Sequence, residues 1–335
     1  MPLDPVLRSA LTLPAVCAPM FLVSGPALVA EACKAGLIGA LPRQNVRSVE
    51  EFEDWLAAIR MDLDNHAERC PGARVGPLAV NLAARMDASE MERQLDLLDK
   101  YDVKIVISAM GNPRELIGRV HGRGGVVYCD VTSVRHAEKA AALGADGLTC
   151  IGAGGGGHSG AISHLALIPR IRKFFGGTII VAGAVANGAV IRACEILGAD
   201  LAYLGTRFIA TKESLAAPEY KRMLVEQSSS GLLYTGAISG VAANWLVESM
   251  RNLGLDPDDL PSPLGAMRHD HLPAHVKPWK NLWSAGQGID LIDDLPTVAE
   301  LVNRLRTEYL TACEITDFAD AARLADDACS PAVGE

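Results

Sequence analysis

The stretch GLTCIGAGGGGHSG, residues 147–160, decides how the rest of the chain reads. Leu148 to Ile151 make a short apolar run of strand type, which passes directly into five glycines broken only by Ala153, and then into His158. Glycine has no Cβ, so backbone of this kind can lie against a flat ligand and take turns closed to other residues. Flexible linkers also use glycine, but here a strand-like run precedes the glycines and a helical pattern follows them. The stretch therefore reads as the end of a buried strand, with His158 held at its mouth.

Working outward, the same alternation repeats. Strand candidates are Ala15–Met20, Ile38–Leu41, Val75–Leu82, Lys104–Ala109, Val126–Val131, Gly147–Ile151, Thr178–Val181 and Leu201–Leu204. Amphipathic helical patterns separate them, among them Ser48–Arg60, Asp87–Lys100, Asn112–Arg123, Val134–Leu143 and Val190–Leu197. Near-continuous apolar strands alternating with helices predict an α/β fold whose parallel sheet is covered on both faces. Eight such units predict closure into a (β/α)8 TIM barrel. After Leu204 the pattern changes to helical sequence, then to a proline- and histidine-rich loop from Asp256 to Trp279, and helical sequence returns at Thr297–Tyr309. We therefore expect residues 1–210 and 280–312 to form the barrel and 211–279 a helical cap inserted after the eighth strand. Residues 313–335 are expected to be a frayed tail. Tyr234, Thr235, Trp245 and His271 are the candidates for the inner face of the cap.

Composition removes several function classes. The chain has 335 residues with 31 Lys+Arg against 40 Asp+Glu, a net charge of −9 and no basic block. That balance argues against nucleic-acid or anionic-membrane partners. Eight cysteines at irregular spacing, with no C-x-x-C pair, fit small buried hydrophobes in a reducing cytoplasm rather than a disulfide or zinc framework. The opening MPLDPVLRSALTLPAVCAPM lacks the basic-then-apolar pattern of a secretory leader. No run reaches the ~20 apolar residues of a membrane span. A small molecule is the expected partner, and a homodimer is compatible with the composition.

Barrels of this kind do their chemistry at the carboxyl ends of their strands. Read in order, those ends present Pro19-Met20, Asn81, Ser108, Asp130, His158, Gly183-Ala184 and Gly205-Thr206. The last two pairs, in AGAVANG and LGTRF, place glycine in successive units where backbone N–H groups can meet a phosphate. Asn81 can hydrogen-bond a ring edge or form a local turn. His158 can accept a proton near neutral pH or stabilise a developing anion. His269, His271 and His275 lie in the proline-rich loop with no fixed carboxylate partner, a weak basis for a metal site. No G-x-S-x-G elbow and no G-K-[ST] step occurs, which leaves serine hydrolysis and nucleotide hydrolysis unsupported.

Taken together, APMFLVSGP (18–26), VNL (80–82), GGGGHSG (154–160), AGAVANG (182–188), LGTRFIATKES (204–214) and WSAGQG (283–288) resemble the nitronate monooxygenases, formerly 2-nitropropane dioxygenases. The resemblance runs from about Pro14 to Leu310, with the motifs in the family's order. It implies an FMN-dependent barrel in which Ala18, Pro19 and Met20 flank the flavin ring and Asn81 bonds its polar edge. Gly183 and Ala184, with Gly205 and Thr206, would hold the phosphate; Ala182, Gly157 and Gln287 with its neighbouring glycines would border the cofactor. His158 matches the family's active-site histidine. The implied reaction oxidises an alkyl nitronate with O2 to a carbonyl compound and nitrite. This chain has Ala184 where many members have a second glycine, and Asp130 where some relatives place a lysine near the flavin. Two other readings stay open: an NAD(P)H-dependent FMN reductase of enoyl thioesters or quinones, and a non-redox barrel that binds a phosphorylated metabolite.

Overall fold

The computed structural model describes residues 3–263, 265–266 and 268–314. Eight strands, β1 (Ala15–Cys17), β2 (Ile38–Pro42), β3 (Leu78–Ala83), β4 (Ile105–Ala109), β5 (Val126–Val131), β6 (Gly147–Ile151), β7 (Thr178–Ala182) and β8 (Leu201–Leu204), pair in sequence order into a closed barrel. All pairings are parallel, and β1 meets β8 through Val16↔Tyr203 to complete the circle. The expected TIM barrel is present. Two strands are shorter than their apolar runs. β1 stops at Cys17 because Pro19 has no N–H to give and the chain turns there, with Val23 and Ser24 both donating to the Met20 carbonyl. β3 begins at Leu78, after Pro77, while Gly76 donates away from the ladder to Cys33.

The apolar side chains divide as a closed barrel requires. One set fills the space between strands and outer helices, where Leu28, Phe52, Leu56 and Ile59 are fully buried. Each such side chain contributes about 1.5–3 kcal/mol on burial. A second set, including Val16, Ile38, Ile105, Ile180 and Leu201, meets inside the barrel, with Leu3 and Leu11 packed against it. The short helix Pro5–Ala10, capped by the Asp4 carboxylate, thus closes the amino end. The carboxyl end stays open.

Between β8 and the helix Val298–Cys313 the chain leaves the barrel. The insertion holds the helices Pro218–Glu226 and Val247–Asn252, and also an antiparallel pair that the sequence reading did not include, β9 (Leu232–Thr235) and β10 (Ala243–Leu246). Each of these strands has four residues, too few for alternation to show. The helix Val298–Cys313 starts with a Thr297/Glu300 capping box and packs against the helices Gly188–Ile196 and Pro26–Lys34, filling the place between the last and first barrel units. The buried Arg207 guanidinium, just after β8, is tied to Asp294 at 2.6 Å, which fastens the returning segment to the rim. Cys313 still belongs to the helix, and the expectation of fraying over 315–335 lies outside the described residues. Among the described residues no helix is long and apolar enough to cross a membrane.

Candidate active site

A cavity of about 1470 Å³ opens at the carboxyl ends of the strands, beneath the insertion. Its first half is built by the turns after β6, β7 and β8. The carbonyl of Gly154 accepts from both Ala184 N–H (3.1 Å) and Gln287 N–H (3.0 Å), so one oxygen ties three loops together. Gly183 has φ +115°, and a Cβ there would come within 2.7 Å of the Gly155 nitrogen; only glycine closes this turn. Thr206 Oγ1 accepts from Gly286 N–H at 2.8 Å, which leaves its own proton to give. Gly183, Gly205 and Thr206 line the cavity, and among the described residues their backbone N–H groups have no protein acceptor. Three unspent N–H groups and a hydroxyl form a cradle for an anionic group.

Beside the cradle lies a flat apolar surface from Ala18, Pro19, Met20 and Ala182. Asn81, on β3, gives its amide N–H to Ile107 O at 3.2 Å, so its Oδ1 remains able to accept from a ring edge. Asp130, on β5, faces the same space, and its Oδ1 is buried without a hydrogen-bond partner. Burial pushes the Asp130 carboxyl up to about 7, with the Thr149 hydroxyl drawing it the other way. A buried polar atom with no protein partner beside a phosphate cradle and a flat apolar wall suits a flavin, which brings phosphate, planar ring and polar edge together.

His158 follows the glycine run and lines the cavity, as Gly157 does. The insertion grips it from two sides. Its backbone bridges Ala243, the next N–H, of Ser159, donates to Ala242 O at 3.0 Å, and the imidazole Nε2 lies 3.2 Å from Ser239 Oγ. Trp279 sets the plane of the ring, edge to face at 5.0 Å and 82°. Burial, and then the neighbouring His269 charge, lower the imidazole pKa, so His158 is neutral at neutral pH.

A family profile described as nitronate monooxygenase matches residues 6–308. The chain belongs to this family. Nitronate monooxygenases are flavin-dependent oxidoreductases, consistent with the donor set above. The nitronate monooxygenase of Paraburkholderia phytofirmans is 26% identical, over 90% of this chain and 93% of that protein. A dehydrogenase of Rhodococcus jostii, named for a 5-hydroxy-7a-methyl-1-oxo-octahydro-1H-indene-4-carboxyl-CoA substrate, is 31% identical over 64% of this chain. The match spans only 59% of that relative's length, and 61% of its Mycobacterium tuberculosis namesake. Among solved structures, the nitroalkane oxidase of Streptomyces ansochromogenes superposes with TM-score 0.75 at 25% identity, over 92% of this chain and 99% of that one. FabK of Thermotoga maritima shares the fold, with TM-score 0.72 at 22% identity, over 93% and 98%.

For this nitronate monooxygenase family member, the structure corrects three residue-level expectations. Gln287 itself is exposed and does not line the cavity: it opens the 3-10 turn Gln287–Leu291 with its N–H given to Gly154 O, and of the expected group only the neighbouring Gly286 and Gly288 line the space. Ala184 lines the cavity but its N–H is spent on Gly154, so it offers an anion shape rather than a donor. Of the inner-face candidates, Tyr234, Thr235, Trp245 and His271 do not line the cavity; His269 and Trp279 do. Trp245 is wholly buried and tilted against Trp279 at 5.0 Å. The histidines of the loop bind separate carbonyls, His269 that of Ile238, His271 that of Ala237 and His275 that of Leu253. Among the described residues no group of three or more His, Cys, Asp or Glu side chains converges as metal ligands would.

Two residues that the sequence reading passed over matter here. Asn244, on β10 and 2% exposed, gives its amide to Gly155 O at 2.7 Å and Ala153 O at 3.2 Å, which holds the glycine run in place from the insertion. A polar residue inside the apolar run VAANWL was its sole signal. Ser239, fully buried, had none.

Proposed function

We propose that this chain is an FMN-dependent oxidoreductase that converts alkyl nitronates and nitroalkanes, with O2, to carbonyl compounds and nitrite. One observation carries the reading: a neutral imidazole and a cradle of unspent N–H donors share a single cavity. FMN, when bound, would supply the redox chemistry between the substrate carbon and O2. Gly183, Gly205 and Thr206 would hold its phosphate, Ala18 to Met20 and Ala182 would bound its ring, and Asn81 and Asp130 would meet its polar edge. His158 binds the nitro oxygens of a nitronate or takes the α-proton of a neutral nitroalkane. Residues 1–210 and 280–312 then serve as the cofactor barrel and 211–279 as the substrate cap.

A second reading is supported by the size of the cavity. Its other half lies between the turns after β1 to β4 and the insertion, with Phe21, Met110, Leu272, Val276 and Trp279 on its walls. About 1470 Å³ exceeds the roughly 300–1,000 Å³ that one ligand fills. A flavin and a bulky apolar substrate fit that space, and the CoA-thioester relatives make an acyl thioester the matching class. One experiment separates the two. The protein is loaded with FMN, made anaerobic and mixed with ethylnitronate, or with NADH or NADPH followed by an enoyl thioester. The nitronate reading expects bleaching by ethylnitronate alone and nitrite once air is admitted. Bleaching by a nicotinamide with no response to nitronate would replace it with the thioester reading, and failure to bind FMN would remove both.

A further inference from the structure

His158 has two ring nitrogens, and the hydrogen bonds around Ser239 distinguish them. Ser239 sits in the turn between β9 and β10, and its Oγ donates to Val241 O at 3.0 Å. A serine hydroxyl has one proton. With that proton given to a carbonyl, which can only accept, the oxygen that lies 3.2 Å from His158 Nε2 can serve the ring only as an acceptor. The ring proton then belongs on Nε2, and the lone pair of the neutral imidazole on Nδ1. Nδ1 has no protein partner among the described residues, and unlike His271 Nδ1 it is not sealed from solvent. His158 itself lines the cavity. The reverse arrangement, with the hydroxyl proton on Nε2, gives up the bond to Val241 and makes Nδ1 a donor, which removes the base from the cavity side.

We propose that Ser239 is a positioning residue for His158, fixing the imidazole as its Nε2–H tautomer so that Nδ1 is the proton-accepting atom. Trp279 sets the plane of the ring and Ser239 sets which nitrogen is basic. Applied to a neutral nitroalkane, which rests on the function proposed above, the α C–H bond breaks and an Nδ1–H bond forms. The electron pair stays on the substrate as its nitronate. The imidazolium keeps Nε2–H directed at Ser239 Oγ, and the Ser239 to Val241 bond persists. No hydrogen bond has to be rebuilt during the transfer.

The tautomer can be read without turnover. The FMN-loaded protein is labelled with 15N-histidine, His158→Gln identifies the His158 signals by their loss, and long-range 1H–15N correlation at pH 8 reports which nitrogen carries the proton. The expected wild-type spectrum shows His158 with Nε2 protonated and Nδ1 bare. In Ser239→Ala the preference falls about five- to tenfold, the size of one lost hydrogen bond, and Ser239→Thr restores it. In parallel, Ser239→Ala lowers kcat/KM for a neutral nitroalkane about tenfold and for preformed nitronate less than twofold. A wild-type ring protonated on Nδ1 overturns the proposal with no variant needed, and so does an unchanged tautomer in a folded Ser239→Ala. Absence of nitroalkane turnover in every form, with the tautomer as expected, overturns the function and leaves the role of Ser239 standing.

Discussion

Around the barrel rim, each cradle residue sits next to the strand that places it: Gly183 follows β7 at Ala182, and Gly205 follows β8 at Leu204. The insertion works across distance. Ser239 reaches His158 over 81 positions of sequence and Asn244 reaches Gly155 over 89. The rim supplies donors and shape from the backbone, which the barrel topology fixes; the insertion supplies side chains that orient what the rim presents. Cofactor binding and proton transfer should therefore be separable by mutation.

His158→Asn gives the largest effect. Turnover of neutral nitroalkane should fall by a factor of order 10² or more, with far smaller loss on preformed nitronate and unchanged FMN affinity. Equal modest losses on both substrates would assign the ring to positioning alone. Gly183→Val tests the rim. A branched side chain at φ +115° against the Gly155 nitrogen should open the cradle and weaken FMN binding at least tenfold in a flavin-fluorescence titration, while His158 keeps its tautomer. Asn244→Ala crosses the boundary between the two regions. It leaves two glycine-run carbonyls short of a partner and should cost about 1–3 kcal/mol in chemical denaturation, with a several-fold loss of FMN affinity.

The smallest effect concerns pH. Asp130 titrates near 7 in the folded chain against about 3.9 unfolded. Between those values the folded state holds a proton that the unfolded state has lost, so stability falls as pH rises from about 4 to about 7. Asp130→Asn removes that dependence. Its Tm without cofactor should exceed wild type by a few degrees at pH 8 and match it at pH 4; the same difference at both pH values would place the carboxyl outside the buried environment described above.

What was legible in the sequence follows the same division. All eight strands could be read because buried parallel strands are near-continuous apolar runs, Gly183 and Gly205 because they directly follow strands, and His158 because it ends the glycine run after β6. β9 and β10 could not, since LLYT and ANWL are too short to carry a period. Of the group around Gln287 only the neighbouring glycines face the cavity, because no local pattern shows which way a turn residue's side chain points. Ser239 and Asn244 act through contacts that form only when the insertion folds back over the barrel, and no local pattern marks them. In the sequence Trp279 marks only the end of a loop; its φ of +62° and its packing on His158 appear only in three dimensions.

A crystal structure of the FMN-loaded protein tests the central claim most directly. The account predicts the phosphate against the N–H groups of Gly183, Gly205 and Thr206, the ring along Ala18 to Met20, and His158 Nδ1 facing it across the substrate space. A phosphate bound elsewhere, or a His158 ring turned from the cofactor, would contradict it.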